Sequence, residues 1–283
     1  MSRTVFESKH FMITHTVETR GKITKLRDNH YEDTCLITIV VCGKGRAFVE
    51  GSIYNVESGD IITSSDREIH CFKFDDTDVH ERMSINLSNS ILADFVDYNV
   101  MLTDIFNSHA LGANNLFPRD KFFDSEIQSI VRRACDLSEI AEKKNTHIAK
   151  LHLLIVNLLL KMYDYYKKCM ITENGNLCSH SVISDICRYI NENISENLTY
   201  KEIENRFFVS RYYLSEVFKR NTGMPFTEYV IYKRIKAVDS LVFEGFPLML
   251  AAERAGFGNY SHFYKKFMKY RKISPTKYYA KKE

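Results

Sequence analysis

Along residues 12–86 the apolar positions fall in short runs broken by glycine. Cys35 to Cys42 is β-branched, Ala47 to Val49 follows Gly43 and Gly45, and Gly51 separates that run from Ile53 to Val56, with Gly59 after it. β-Branched and aromatic residues suit a pleated surface and glycine suits the breaks, so the pattern predicts a small antiparallel β-barrel or sandwich. From Ser88 the spacing changes to three and four. Asn89 or Ser90 stands where it would cap a helix over Ile91–Val96, and helical spacing returns over Phe122–Ala141. Thr146–Tyr166 then carries a stripe of Ile148, Leu151, Leu154, Ile155, Leu158, Leu159 and Met162. Leu153, Val156 and Leu160 widen it, which leaves two uses: the core of this half, or a seam for a second copy in a homodimer.

Residues 172–181 lack periodicity and are rich in Asn and Ser, and they predict a linker between domains at 1–171 and 182–283. The second domain reads as helices throughout, with one pattern used twice. Thr199 caps Tyr200–Asn205, a turn follows at Phe207–Val209, and Ser210 caps a helix over Arg211–Asn221. Pro247 then opens a helix to Arg254, a turn runs from Ala255 to Gly258, and Asn259 caps a last basic helix. Two helices joined by a short turn make a helix-turn-helix, whose second helix enters the major groove. Leu214, Val217 and Phe218 face inward in the first copy, leaving Tyr212, Ser215, Glu216, Lys219 and Arg220 outside; Phe263 and Phe267 face inward in the second, leaving Tyr260, His262, Tyr264, Lys265, Lys266 and Lys269. Phe226–Phe243 links the copies as a helix of about 27 Å, which with the turns sets the two recognition helices about 34 Å apart, one turn of duplex.

The charge of the 283 residues changes this picture only by its distribution. The balance is +3 overall, but residues 182–283 hold 18 Lys/Arg against 11 Asp/Glu, and residues 1–181 hold 21 against 25. The basic half suits a polyanion, and lysines clustered on one helix suit phosphate. A composition of 45% hydrophobic and 27% charged residues excludes disorder and collagen. Seven cysteines without a C-x-x-C pair favour neither a zinc ribbon nor a redox motif. The first ten residues, with Glu7, Lys9 and His10, have no apolar core of a signal peptide, and Leu151–Leu160 is too short to span a bilayer. The expectation is a soluble cytoplasmic protein with no membrane partner.

The helical domain resembles the DNA-binding domain of the AraC/XylS family of transcription regulators. The matching residues are Ser210, Tyr213, Leu214, Phe218 and Lys219; Gly223, Pro225, Phe226 and Tyr229; Arg234, Ile235 and Ala237; Ala252, Ala255, Gly256 and Phe257; Ser261, Phe263 and Phe267; and Ser274, Pro275 and Tyr278. The resemblance implies base reading by Tyr212, Ser215 and Glu216 in the first recognition helix and by Tyr260, Ser261, His262, Tyr264 and Lys265 in the second. Departures are Glu204, where a small residue is usual, Glu216 for a frequent Arg, Met268 for Lys, Lys272 for Gly and Tyr279 for Arg. Glu216 accepts from cytosine N4 but does not bind guanine as Arg does, so the preferred operator shifts accordingly.

The front half is similar to the family's cupin-like effector domain through Gly43, Gly45, Gly51, Gly59, Asp60 and His70. The fold class is thus α+β: a cupin-like barrel with following helices, then an all-α domain with two helix-turn-helix motifs. Metal-binding cupins offer two His and a Glu before the glycine turn, whereas only His30 is so placed here, with Thr34 or Cys35 at the acidic position. No metal, cofactor or catalytic residue is expected, and the chain is read as a non-enzyme. Arg27, His30, Tyr31, Glu68 and His70 are the expected contacts to a small polar effector, a sugar among the choices. The resemblance further implies double-stranded DNA and RNA polymerase as partners, activation more than repression, and a homodimer. Two other readings remain: a family member answering to a protein or physical signal, and an enzyme fused to a DNA-binding tail, either a metal-dependent cupin or a DNA-repair alkyltransferase.

Overall fold

The computed structural model describes residues 2–19, 34–75, 79–93, 95–121, 124–139, 145–172 and 181–280. They fall into two compact units that divide between residues 179 and 180. Arg27, His30 and Tyr31 lie outside the described residues, as does most of the expected linker.

The first unit opens with strands β1 (Ser2–Glu7), β2 (Phe11–Thr19), β3 (Cys35–Cys42), β4 (Lys44–Val49), β5 (Ser52–Glu57), β6 (Ile61–Ser64), β7 (His70–Phe74) and β8 (Val79–Leu87). Helices α1 (Asn89–Ala93) and α2 (Asp104–Asn107), the short strand β9 (Leu116–Phe117), and the long helices α3 (Asp124–Glu139) and α4 (Asn145–Thr172) complete it. The strands make a six-stranded sheet in the order β1-β2-β8-β3-β6-β9 and a three-stranded sheet in the order β5-β4-β7, antiparallel at every pairing.

The alternation in β8 shows why the large sheet is covered on both faces. Met83, Ile85 and Leu87 pack with Ile13, Ile37 and Ile39 against Ile127, Ile130, Leu151, Ile155, Leu158, Leu159 and Met162 of α3 and α4. The opposite face meets the small sheet, where Val40 and Ile62 pack on Ala47, Val49, Tyr54 and Val56. Each Val, Ile, Leu or Met among them that is fully removed from water contributes about 1.5–3 kcal/mol. The leucine stripe of α4 is therefore core, and Leu154, Val156 and Leu160 are packed against the same cluster. Leu153 alone of the widening residues stands exposed. The helix also runs six residues past the expected end, and β1, which the sequence pattern did not single out, pairs with β2 through a bulge between Thr4 and Phe6.

The second unit is helical: α5 (Val182–Glu192), α6 (Tyr200–Phe207), a π-helical stretch Tyr213–Phe218 that continues into α7 (Lys219–Thr222), α8 (Phe226–Phe243), α9 (Leu248–Arg254), α10 (Tyr260–Arg271) and α11 (Pro275–Tyr279). Ser181 caps α5, its hydroxyl accepting from Ser184 N while the Ser184 hydroxyl accepts from Ser181 N. The linking helix α8 spans the residues expected of it. One side carries Phe226 and Tyr229, whose rings pack edge-on to Phe218 at 5.8 and 5.2 Å. The other carries Ile235 and Val238 into a cluster with Ala251, Ala252, Phe257, Phe263 and Phe267. Asp239, buried in the same helix, accepts from Arg271 Nη2 at 2.6 Å and from the Tyr279 hydroxyl at 2.7 Å. Tyr279, which departs from the family's usual Arg, thus fills that position with a neutral donor.

Candidate nucleic-acid interface and barrel interior

In the first helix-turn-helix, Thr199 Oγ1 accepts from Glu202 N at 3.2 Å and starts α6. Phe208 ends it in the left-handed region (φ 53), and Ser210 Oγ accepts from Tyr213 N at 3.1 Å to start the recognition helix. Leu214 and Phe218 are fully buried, whereas Tyr212, Glu216, Lys219 and Arg220 are exposed and Ser215 is half-buried. A π-helical turn widens the helix at this point, a feature common at functional sites. Glu204 is half-buried at the edge of α6, a position where a carboxylate keeps its water.

In the second, Asn259 Oδ1 accepts from His262 N at 2.8 Å and starts α10. Ser261, His262, Tyr264, Lys265 and Lys269 are exposed, and Tyr260 and Lys266 are half-buried. Lys269 is already engaged: its Nζ lies 2.8 Å from Glu228 Oε1 of α8. That ion pair, with a hydrogen bond from the Tyr270 hydroxyl to the same carboxylate, ties α10 to α8 and removes Lys269 from the simplest phosphate role. Partial burial and then the cations Lys266, Arg234 and Lys265 hold the His262 imidazole below its ordinary pKa. A neutral ring here both donates and accepts, which suits a base edge. The turn before α10 is tight. Gly256 sits at φ 87, and a Cβ there would meet Ile194 O at 2.6 Å and Arg234 Nε at 2.9 Å. Arg234 itself donates to Ile194 O at 3.1 Å and to Glu196 O at 2.6 Å, clamping the loop after α5 onto α8.

The barrel interior holds a second group of polar side chains. Register places Thr14, Ser84 and Thr38 with Ile62 in one cross-strand row, Met12, Asn86, Leu36 and Ser64 in the next, and Thr16, Arg82 and Val40 on the other side. Val40 and Ile62 belong to the cluster between the sheets, so the whole set faces inward. Arg82 is paired only loosely with Glu18, 3.7 Å away, and lies over the rings of Phe72 and Phe74 at 5.5 and 5.9 Å. Burial lowers its pKa, with the Glu18 carboxylate opposing. His80 stacks on Phe74 at 4.6 Å. Three buried atoms of this floor, Arg82 Nη1, Asn86 Oδ1 and His80 Nδ1, have no hydrogen-bond partner among the described residues. Burying such groups unpaired costs about 1–3 kcal/mol each, so the arrangement is one that a polar guest would stabilise.

The two described members of the expected effector set are placed differently. His70 belongs to the inner face of β7, half-buried, with its Nδ1 3.0 Å from Ser64 Oγ. Glu68 is 3% exposed and engaged in structure. Its carboxylate accepts from Ser65 N at 2.8 Å, Gly112 N at 2.7 Å and Asn115 Nδ2 at 3.2 Å, pinning the 108–115 loop over the sheet edge. Among the described residues no group of three or more His, Cys, Asp or Glu is placed to hold a metal ion, and no helix is long and apolar enough to cross a membrane.

Two family models match the chain in this order: an AraC-like ligand binding domain over residues 15–155 and a helix-turn-helix domain over residues 203–281. The chain belongs to the AraC family of transcription regulators. Among its AraC-family relatives, the uncharacterized HTH-type transcriptional regulator YdiP of Escherichia coli K12 is 26% identical over 141 residues, 49% of this chain and 46% of that protein. The lactose operon transcription activator of Staphylococcus xylosus is 23% identical over 155 residues, 54% of this chain and 55% of that protein. The matched stretch thus spans about half the length of these relatives. A solved structure of ToxT from Vibrio cholerae O395 is 17% identical, covering 95% of this chain and 98% of that one, with a TM-score of 0.38.

Within this AraC-family chain, sequence reasoning found the recognition helices because their caps and inward residues are local. It missed Arg82, Asn86 and His80. The signal was present as the alternation Met83-Ser84-Ile85-Asn86-Leu87 at the end of β8, but alternation is also how a strand with one face in water reads.

Proposed function

We propose that this chain is a DNA-binding transcription regulator in which a small polar molecule held in the barrel sets the activity of two helix-turn-helix units. The observation that carries the DNA reading is the repeated, capped helix pair in a basic unit. Each recognition helix buries two apolar side chains and leaves an exposed mixture of aromatic, hydroxyl and charged groups. Tyr212, Ser215 and Glu216 read bases in the first half of the site, and Tyr260, Ser261, His262, Tyr264 and Lys265 read the second. Lys219, Arg220 and Lys266 neutralise phosphate.

The barrel floor supports a neutral, hydroxyl-rich effector such as a sugar. Arg82 and Glu18 nearly cancel in charge, the unpartnered atoms include both donor and acceptor types, and Phe72, Phe74 and His80 offer flat apolar surface beside them. The effector acts only through different affinity for two states of the protein. Activation through contact with RNA polymerase, a homodimer and a cytoplasmic location complete the reading; they rest on the family and not on a site described here.

Selection of bound duplexes from a random pool by the full-length chain, at near-physiological salt, tests the DNA reading. Two conserved blocks about one helical turn apart are expected. A pool that stays unenriched with and without a metabolite mixture would refute it. Calorimetry against sugars, with Asn86→Leu as the blocked variant, tests the effector reading; silence across a sugar panel would redirect it to a protein or physical signal.

A further inference from the structure

The turn of the first helix-turn-helix is built on an unfavourable residue. Phe208 holds φ 53 and is 93% exposed. A left-handed backbone is unfavourable for any side chain larger than glycine, and a ring left in water adds nothing to folding. The turn of the second helix-turn-helix places a glycine, Gly256, at its own left-handed position, φ 87. Glycine there answers crowding as well, since a Cβ would strike Ile194 O, whereas Phe208 stands almost wholly in solvent.

Position supplies the rest. Ser210, two residues later, caps the recognition helix, and the N-terminal end of that helix is the one that reaches base edges in helix-turn-helix complexes. Arg211 and Tyr212, the latter 74% exposed, follow on the same end. Phe208 is thus an exposed ring two residues before that cap, at the same end of the motif as the exposed Tyr212.

We propose that Phe208 is a DNA-contacting residue whose ring packs on the apolar wall of the groove, deoxyribose or thymine methyl, beside the bases read by Tyr212. This rests on the regulator reading and adds a contact that the recognition helices do not contain. Because the contact is apolar, it raises affinity without entering the salt dependence, which counts neutralised phosphates.

The test uses the full-length chain and an A·T-rich duplex of mixed sequence, titrated across a range of salt. Three variants are compared: Phe208→Gly, which relieves the backbone and removes the ring; Phe208→Asn, which tolerates the left-handed region; and Phe208→Tyr, which keeps the ring. The Gly and Asn variants should melt no lower than the parent yet bind about tenfold more weakly at every salt concentration, with an unchanged slope. The Tyr variant should bind as the parent does. Parental affinity in Phe208→Gly or Phe208→Asn, a slope that falls with the affinity, or a Tyr variant as weak as the Gly variant would each overturn the proposal. Absence of salt-dependent duplex binding by the parent would instead remove the regulator reading on which it stands.

Discussion

Gly256→Ala and Gly245→Ala separate two costs that a glycine turn combines. Both glycines hold positive φ, 87 and 92, so an alanine at either carries the left-handed penalty. That penalty is about 1–2 kcal/mol and is partly offset by the smaller entropy of the unfolded chain, leaving about 1 kcal/mol net. At Gly245 nothing lies within 4 Å of the added methyl, and the expected loss ends there. At Gly256 the methyl would sit 2.6 Å from Ile194 O and 2.9 Å from Arg234 Nε, the two atoms joined by a 3.1 Å hydrogen bond. Making room parts them, and a hydrogen bond to a charged group contributes about 1.5–3 kcal/mol. Gly256→Ala should therefore destabilise the helical unit by about 3 kcal/mol, near three times the effect of Gly245→Ala. The chain has no Trp, so urea unfolding is best followed by helical ellipticity, with the transition of the barrel unit as internal reference. Equal midpoint shifts for the two variants would refute the crowding argument and leave Arg234 as a bystander.

Lys266→Ala should weaken duplex binding on every sequence and lower the salt slope by about 0.9, whereas Glu216→Ala should relax one base preference and leave the slope alone, both read in salt titrations with selected and random duplexes. Asp239→Ala removes the carboxylate paired with the Arg271 guanidinium, whose side chain is 5% exposed, and should cost about 3–5 kcal/mol in denaturant unfolding; a loss below about 1 kcal/mol would show the pair to be dispensable. Burial raises the Glu68 pKa from an ordinary 4.5, against the hydrogen bonds from Ser65 and Gly112. The folded state therefore binds that proton more tightly than the unfolded chain. The resulting stability is full below about pH 4.5 and is lost as the pH rises through the folded value. Wild-type melting temperature should fall relative to Glu68→Gln over that rise, and parallel pH profiles would contradict it.

What the sequence made legible was what neighbours in the chain decide. Thr199, Ser210 and Asn259 are caps because a short polar side chain answers amides two or three residues on, and α8 fills its expected span because Pro225 and Phe226 fix its start. The barrel floor was not legible, because which face of β8 meets water depends on α3 and α4, which begin at Asp124, 37 residues past Leu87. With those helices over Met83, Ile85 and Leu87, the polar face has nowhere to go but inward. Glu68 reads in sequence as a polar residue of the barrel mouth, and that its carboxylate is taken up by Gly112 and Asn115, more than forty residues on, is not a local property. The leucines of α4 show the same dependence, since the width of an apolar stripe does not reveal how many layers cover it.

The clamp of Arg234 on Ile194 and Glu196, with Gly256 pressed against it, joins the loop after α5, the linking helix and the turn of the second motif at one point. Two reading heads mounted on such a joint share a fixed phase. One extra base pair between their sites rotates the second by about 35° and moves it about 3.4 Å along the axis, and neither displacement is available to a joint held by two carbonyl bonds and a glycine contact. On the reading proposed above, a target site carries information in its spacing as much as in its letters.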